Sequence, residues 1–540
     1  MVCQRACGLR SQEPAAGGGN ACAAGGFIPL EPEEHRVTKT TLLHGIAGAV
    51  LSLAAFAMPA QAVELKIGLQ DDVDILDPDQ SQTFAGRLVY TSLCDKLVDI
   101  SSKVEIVPQL ATDWSFSKDG LTLTMNLRQD AVFHDGTPFN AEAVVYNIQR
   151  SMNLPESRRK SELKSIEKVE ATGPYQVTIT LKAPDATLLS QFSDRAGMMI
   201  SPAAAESGGA PFAQNPVCSG PFKFVERIQN DRVVLEKFPQ HWNAANIHID
   251  RLTFLPIPDS TVRLANLQSG DLNMVERMAA TDAATVEADP NLQLLDIVSL
   301  GYNALYINVG DKAPGLIGKD KRLRQAFSKA IDREALYQIV YEGKGSAGNQ
   351  PFSPASIWYD KSRPVEPRDV EAAKALIKEA GFDRVAVELR HANNPVVTQM
   401  AQVIQAMASE AGFDVNLRAM EYAAMLAEQT AGTYEMGRMN WSGRPDPDGS
   451  IHQFVTCDGG MNDVHYCNPK VDELLNKART STDYETRKAL YDEANAILLD
   501  ELPIIYLGHE AYLYGLNKKI QGFELYPDGM IRLAGVKVVE

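Results

Sequence analysis

The sequence predicts an α/β fold, with a strand-rich N-terminal half followed by a doubly wound lobe of alternating helices and strands. Three observations carry this reading. Short segments before residue 183 alternate apolar and polar residues, the period-two signature of half-buried strands. Between residues 322 and 340 the apolar residues recur at helical spacing. Two helix–glycine–strand units then follow one another, with Gly381 and Gly412 standing 31 residues apart, the length of one crossover unit in a parallel sheet.

Along the chain, residues 63–69 (VELKIGL) alternate as a strand should. Residues 114–128 read as a hairpin, with Asp119-Gly120 at the turn and LTLTMNLR alternating after it. Residues 175–182 (YQVTITLK) repeat the pattern behind a Gly173-Pro174 turn. Leu323, Ala326, Phe327, Ala330, Ile331, Leu336 and Ile339 line one face at helical spacing, and Asp332 is expected to cap a second helix there. Gly381 and Gly412 each follow a helical segment, where a C-terminus favours a left-handed residue, and each precedes a strand (RVAVELR and VNLRAM). Asn468-Pro469 reads as a cap and first helical residue, and Thr482-x-x-Glu485 as a capping box.

Residues 41–62 (TLLHGIAGAVLSLAAFAMPAQA), behind the basic stretch 35–39, have the three parts of a cleavable secretory signal ending at Ala60-Gln61-Ala62. A membrane anchor needs about 20 mainly apolar residues, and His44, two glycines and Pro59 interrupt this stretch. We expect translation to begin at Val37, so that residues 1–36 are not made. The residue directly after the cleavage site is Val63 and not Cys, so export without a lipid anchor to the periplasm is expected.

The 540 residues carry 52 Lys+Arg against 69 Asp+Glu, a net charge of −17, which argues against nucleic acid as partner. Cys94, Cys218, Cys457 and Cys467 follow the leader, an even number that suggests disulfides in an oxidising compartment. Cys457 and Cys467 bracket a short Gly-containing loop that closes easily, which leaves Cys94 with Cys218. Four buried free thiols are the alternative.

Enzyme motifs fail on context. Gly343-Lys344-Gly345-Ser346-Ala347-Gly348 fits GxGxxG, yet it follows a helix and runs into Asn349-Gln350-Pro351, so it reads as a loop. Ser157-x-x-Lys160 and Ser165-x-x-Lys168 lack the partner motifs of acyl-enzyme hydrolases. His509-Glu510 has no second histidine four residues on, and the histidines are scattered without metal-ligand spacing. No catalytic residue, metal or cofactor is called for, and a secreted hydrolase is the disfavoured alternative.

Residues 110–150, with the core Phe133-His134-Asp135-Gly136-Thr137-Pro138-Phe139, resemble the signature region of solute-binding protein family 5, which serves peptide and nickel ABC importers. Pro216-Val217-Cys218-Ser219-Gly220-Pro221-Phe222, the Arg322–Arg333 segment and the Asn468–Leu474 segment follow in the family's order. The Phe133–Gly136 turn is expected to pack structurally against the hairpin. The resemblance implies a two-lobed periplasmic-binding-protein fold (type II, cluster C) that closes on its solute. Lobe I would comprise residues 63–298 plus 505–540, with an extra subdomain at 93–200, and lobe II residues 299–504. Crossings are expected near 301–303 and 502–505. The implied partners are a peptide or peptide-like solute and the importer's permease and ATPases, the receptor itself being a monomer. A non-peptide or anionic solute (an opine, an amino-acid conjugate, a metal chelate) is the alternative.

Solute sites in open α/β sheets lie beyond the carboxyl ends of strands. Two such ends are residues 391–395, with Asn393 and Asn394, and residues 440–449. In the second, peptide-binding members of the family have Trp-x-x-Asp, whose Asp pairs with the peptide ammonium, whereas this chain has Trp441-x-x-Arg444. Arg444 either clamps a solute carboxylate or phosphate or is held by Asp446 or Asp448. In the former case Asp446 can take the amine by a shift of two residues. Trp441 and Tyr302 are expected as apolar walls, and the resemblance places Phe84 toward the cleft.

Overall fold

The structure is a computed structural model that describes residues 62–208, 210–354 and 356–539. The leader and the expected start at Val37 lie outside these residues, apart from Ala62. Among the described residues no helix is long and apolar enough to cross a membrane.

Two large sheets organise the chain. The first has seven strands in the order Leu292–Val298, Ala511–Asn517, Met274–Val275, Glu64–Leu69, Arg251–Pro256, Arg232–Lys237, Phe222–Ile228. The second has six, in the order Ser346–Ala347, Ile504–His509, Tyr302–Ile307, Met436–Trp441, Val385–Ala392, Phe413–Met420. Each sheet is the centre of its own lobe, and the chain passes between them twice. The first crossing runs through residues 299–301. The second is Glu510 alone, later than the expected 502–505, because Ile504–His509 pairs with Tyr302–Ile307 as a buried strand. The backbone N–H of Ser299 donates to the Glu510 carbonyl at 3.2 Å, so the two crossings lie side by side.

The second lobe is less regular than a doubly wound sheet. Val385–Ala392 runs parallel to Phe413–Met420 and to Met436–Trp441, as the two glycine-ended units predict, with Gly381 at φ 93° and Gly412 at φ 104°. The pairings of Tyr302–Ile307 with both neighbours, and of Ile504–His509 with Ser346–Ala347, are antiparallel. The sheet is therefore mixed: the Tyr302 strand enters from the first crossing, and the Ile504 strand, entered from helix Tyr484–Glu501, leaves into the second.

Residues 97–199 hold a third core. The hairpin Ala111–Phe116 and Thr122–Leu127 continues through Gln176–Leu181 to Ile166–Gly173 in a four-stranded antiparallel sheet. Helix Ala141–Asn153 covers it, burying Val144 and Ile148 with Leu123, Met125, Phe133 and Phe139. The Phe133–Gly136 turn has two anchors. Phe133 joins the hairpin core, while the His134 ring contacts the Gly220 carbonyl at 3.0 Å and accepts from the Cys218 N–H at 3.2 Å. Burial pushes the His134 pKa down to about 4, so its ring is neutral at pH 7.

Local signals account for the helix starts. Asp332 caps Arg333–Tyr341, Asn394 caps Pro395–Glu410 and Asn468 caps Pro469–Arg479, each accepting from a first-turn N–H. The expected box at Thr482 is displaced by one residue: Asp483 caps Tyr484–Glu501 through the Thr486 N–H at 2.8 Å. Both disulfides are present. Cys94–Cys218 ties the end of helix Phe84–Leu93 to the segment before strand Phe222–Ile228, and Cys457–Cys467 closes a loop of the second lobe.

Two outcomes follow for stability. Cys94 and Cys218 lie 124 residues apart, so removing this bond by Cys94→Ser/Cys218→Ser should cost about 5 kcal/mol in the chain-entropy model, read as a lower midpoint in denaturant. Gly301→Ala would place a Cβ 1.7 Å from the Trp441 carbonyl oxygen. That forces the hinge and the end of the Trp441 strand apart and should cost roughly 1–3 kcal/mol or more, measured by calorimetric melting.

Candidate functional site: the cleft between the lobes

The strand Met436–Trp441 ends at the cleft, and its alternation sorts the site into two faces. Arg438 and Asn440 share one face; Met439 and Trp441 share the other.

On the Trp441 side, the indole packs edge-on against Phe454 at 4.7 Å and carries the Arg444 guanidinium 4.1 Å from its ring centre. Tyr302 is the cross-strand partner of Trp441. It is 1% exposed, meets Tyr506 and Phe454 edge-on and contacts the Tyr306 hydroxyl at 3.1 Å. Tyr302 is thus core one layer back, and Tyr306 is the wall it supports.

Arg444 is held by neither Asp446 nor Asp448. Its Nε pairs with Asp194, which belongs to the opposite lobe, and its Nη1 donates to the Gly443 carbonyl at 2.7 Å. Asp194 also takes Arg87 at 2.9 Å and the Arg195 backbone N–H at 2.6 Å, while Arg87 donates to Ser442 Oγ at 2.7 Å. Burial would raise the Asp194 pKa, but Arg444, Arg87 and Arg195 outweigh it and hold the carboxyl well below its usual range. Asp446 is bound bidentate by Arg487 at 2.6 and 2.9 Å, and Asp448 by Arg479 at 2.8 and 2.9 Å. With its oxygens occupied in this way, Asp446 is not free to take an amine.

Asn394 is spent as a helix cap, accepting from Val397 N–H at 3.0 Å, and Asn393 is exposed beside it. Phe84 begins helix Phe84–Leu93, stacks on Tyr512 at 5.5 Å and lies under the Arg277 guanidinium at 4.3 Å.

Two small cavities, each about 30 Å³, flank the strand end. The first is lined by Gln70, Arg277 and Glu510 with Tyr341, Val397 and Arg438. The second is lined by Gln82 from the first lobe and Tyr306, Tyr422, Asn440, Trp441 and Asp463 from the second. Each holds about one or two water molecules, so a solute enters only when the lobes part. Asn440 stands between them; oriented by its donors, its amide oxygen accepts from Nη1 and Nη2 of Arg277 at 3.1 Å.

The cleft's electrostatics centre on groups that sequence reasoning missed. Arg438 is 5% exposed, makes no direct ion pair among the described residues, and reaches Glu510 only through the Tyr341 hydroxyl. Its Nη2 donates to Asn303 Oδ1 at 2.6 Å and to the Tyr341 hydroxyl at 3.3 Å. Arg277, in a left-handed backbone at φ 48°, faces the same cavity but is paired with Glu510 at 3.3 Å. On the other face Asp463 is 7% exposed, and burial pushes its carboxyl above the usual range. Arg438 was legible, since it shares a strand face with Asn440. Asp463 lies in an irregular loop and had no local signal.

Comparison with known proteins agrees with this geometry. The model of the bacterial extracellular solute-binding proteins, family 5, matches residues 105–462. The glutathione-binding protein GsiB of Pectobacterium atrosepticum is 29% identical over 511 residues, covering 92% of this chain and 98% of the relative. The probable di/tripeptide-binding protein 5 of Pseudomonas aeruginosa is 28% identical over 505 residues, covering 88% and 95%. The dipeptide-binding protein of Pseudoalteromonas sp. SM9913, solved with Met-Leu, superposes with a TM-score of 0.82 at 24% identity, over 88% of this chain and all of that one. The fold is thus the two-lobed type II solute-binding architecture, and the chain belongs to family 5 of the bacterial extracellular solute-binding proteins.

Proposed function

We propose that the protein is the periplasmic receptor of an ABC importer, capturing a short peptide or peptide-like solute between its lobes and presenting it to the permease and its ATPases. The reading includes export by the leader, a monomeric receptor and no chemistry on the solute. The observation that carries it is Arg438, a buried guanidinium in the cleft that hydrogen-bonds neutral groups, Asn303 and the Tyr341 hydroxyl, and makes no direct ion pair among the described residues. A cation held this way costs desolvation that Glu510, paired with Arg277 at the same cavity, offsets only in part, and a solute carboxylate supplies the missing charge. Arg277 faces the same cavity and adds to the attraction. The relatives' names specify peptides and glutathione, which favours a peptide over an opine or a metal chelate.

Closure follows from the same groups. A solute touching both lobes contributes those contacts only in the closed state, so binding moves the population toward closure by its differential affinity. Arg444 acts in this step through Asp194 and Arg87, and Trp441 and Phe84 serve as aromatic walls.

Calorimetric titration with Met-Leu, Ala-Leu-Ala and glutathione tests the reading. At least one should bind the wild-type protein. Arg438→Gln should weaken it by about 30-fold, the roughly 2 kcal/mol expected on losing one partner of a buried charged contact; an unchanged dissociation constant overturns the carboxylate assignment. Arg444→Met, by contrast, should weaken all ligands by a similar factor without changing their order, since its guanidinium faces Asp194 and not a cavity. A selective loss for the most anionic ligand would restore the clamp reading.

A further inference from the structure

We infer that Gln82 and Trp441, one from each lobe, hold a peptide bond of the solute between them, so that the receptor selects solutes whose amide nitrogen carries a hydrogen. This rests on the peptide-receptor reading above and adds a requirement on the interior of the solute, where that reading concerns only its carboxylate.

The cavity beside Trp441 holds an unfilled pair of hydrogen-bonding groups. Of the described residues that line it, only Gln82 and Trp441 have a buried polar side-chain atom without a hydrogen-bond partner: Oε1 of Gln82 and Nε1 of Trp441. The first accepts and the second donates. A desolvated donor or acceptor left unpaired destabilises the closed state. The pair therefore marks a place for a group that both gives and takes a hydrogen bond.

Within a peptide, the peptide unit has both functions, one N–H and one C=O. It is planar, and in the trans form the two point in opposite directions, which suits partners on opposite lobes. Its N–H donates to Gln82 Oε1 and its carbonyl accepts from Trp441 Nε1. A carboxylate or an ester has no N–H for Gln82, and an ammonium has no acceptor for the indole. A peptide bond to proline lacks the N–H as well. The space, about 30 Å³ and walled by Tyr306, Tyr422 and Phe454, suits a flat group and no bulky side chain.

Both partners are held in place before the solute arrives. The Asp74 carboxylate accepts from the Ser81 hydroxyl at 2.7 Å, the Gln82 N–H at 2.7 Å and the Thr83 hydroxyl at 2.9 Å. Thr83 in turn caps helix Phe84–Leu93. The Trp441 indole is fixed by Phe454 at its edge and Arg444 on its face. Arg195 donates to the Ser81 carbonyl at 2.8 Å, while its neighbour Asp194 takes Arg444. The contact that closes the lobes thus also sets the spacing of the two groups, and little ordering is left for the solute to impose.

The test is calorimetry on the full chain with whichever of Met-Leu, Ala-Leu-Ala and glutathione binds. Each is set against the same peptide methylated at one peptide nitrogen at a time. For the wild-type protein, methylation at one of these nitrogens should weaken binding by about tenfold or more, because a buried acceptor is left unpaired. Gln82→Met removes that acceptor; it should weaken the parent peptide and bring the methylated form to within about twofold of it. Trp441→Phe should weaken both forms alike and keep the ratio between them, since the methylated peptide retains its carbonyl. Equal binding of parent and methylated forms at every peptide nitrogen, or a methylation penalty that persists in Gln82→Met, overturns the amide seat and leaves the receptor reading standing. A wild-type protein that binds none of the three peptides overturns both.

Discussion

One carboxylate joins the two lobes. Asp194 receives Arg87 from its own lobe and Arg444 from the other, all three nearly excluded from solvent. Ion pairs of this kind contribute little net energy over an apolar alternative, yet removing a single member strands a buried charge at a cost of several kcal/mol. The cluster therefore acts less as glue than as a geometric condition, satisfied only when both lobes are in register. Because Arg444 also lies on Trp441, and Trp441 borders a cavity, the condition for closure and the shape of the site are set by one side chain.

The fold was legible where its signals are local. Helix caps, the Asp119-Gly120 turn and the glycines after the two crossover helices depend on a few adjacent residues, and each reads directly from the chain. Thr482 and Asp483 show the limit of this: both can cap, and only packing of the helix decides. The direction of strand pairing was hidden, because it depends on partners such as Tyr302–Ile307 and Ile504–His509, nearly 200 residues apart. Residues 505–509 were expected in lobe I, after a crossing near 502–505, when Ile504–His509 is an inner strand of the second sheet.

The site divides in the same way. Trp441 and Arg444 stand out because the chain departs from a recognisable pattern there. The partner of Arg444 could not be read, since Asp194 is 250 residues away and nothing near it marks a cleft. Burial at the cleft without a direct ion pair, as at Arg438, is invisible in a one-dimensional sequence: it is defined by which charges are missing nearby. The overall excess of negative charge does not describe the cleft, whose lining includes the cations Arg277 and Arg438.

The loop that carries Asp463 is closed by a bond between thiols that a reducing compartment does not allow to persist. On the periplasmic reading proposed above, that wall of the cleft acquires its final form only after export. On that reading, the bond ties the shape of this wall to the compartment in which the receptor works.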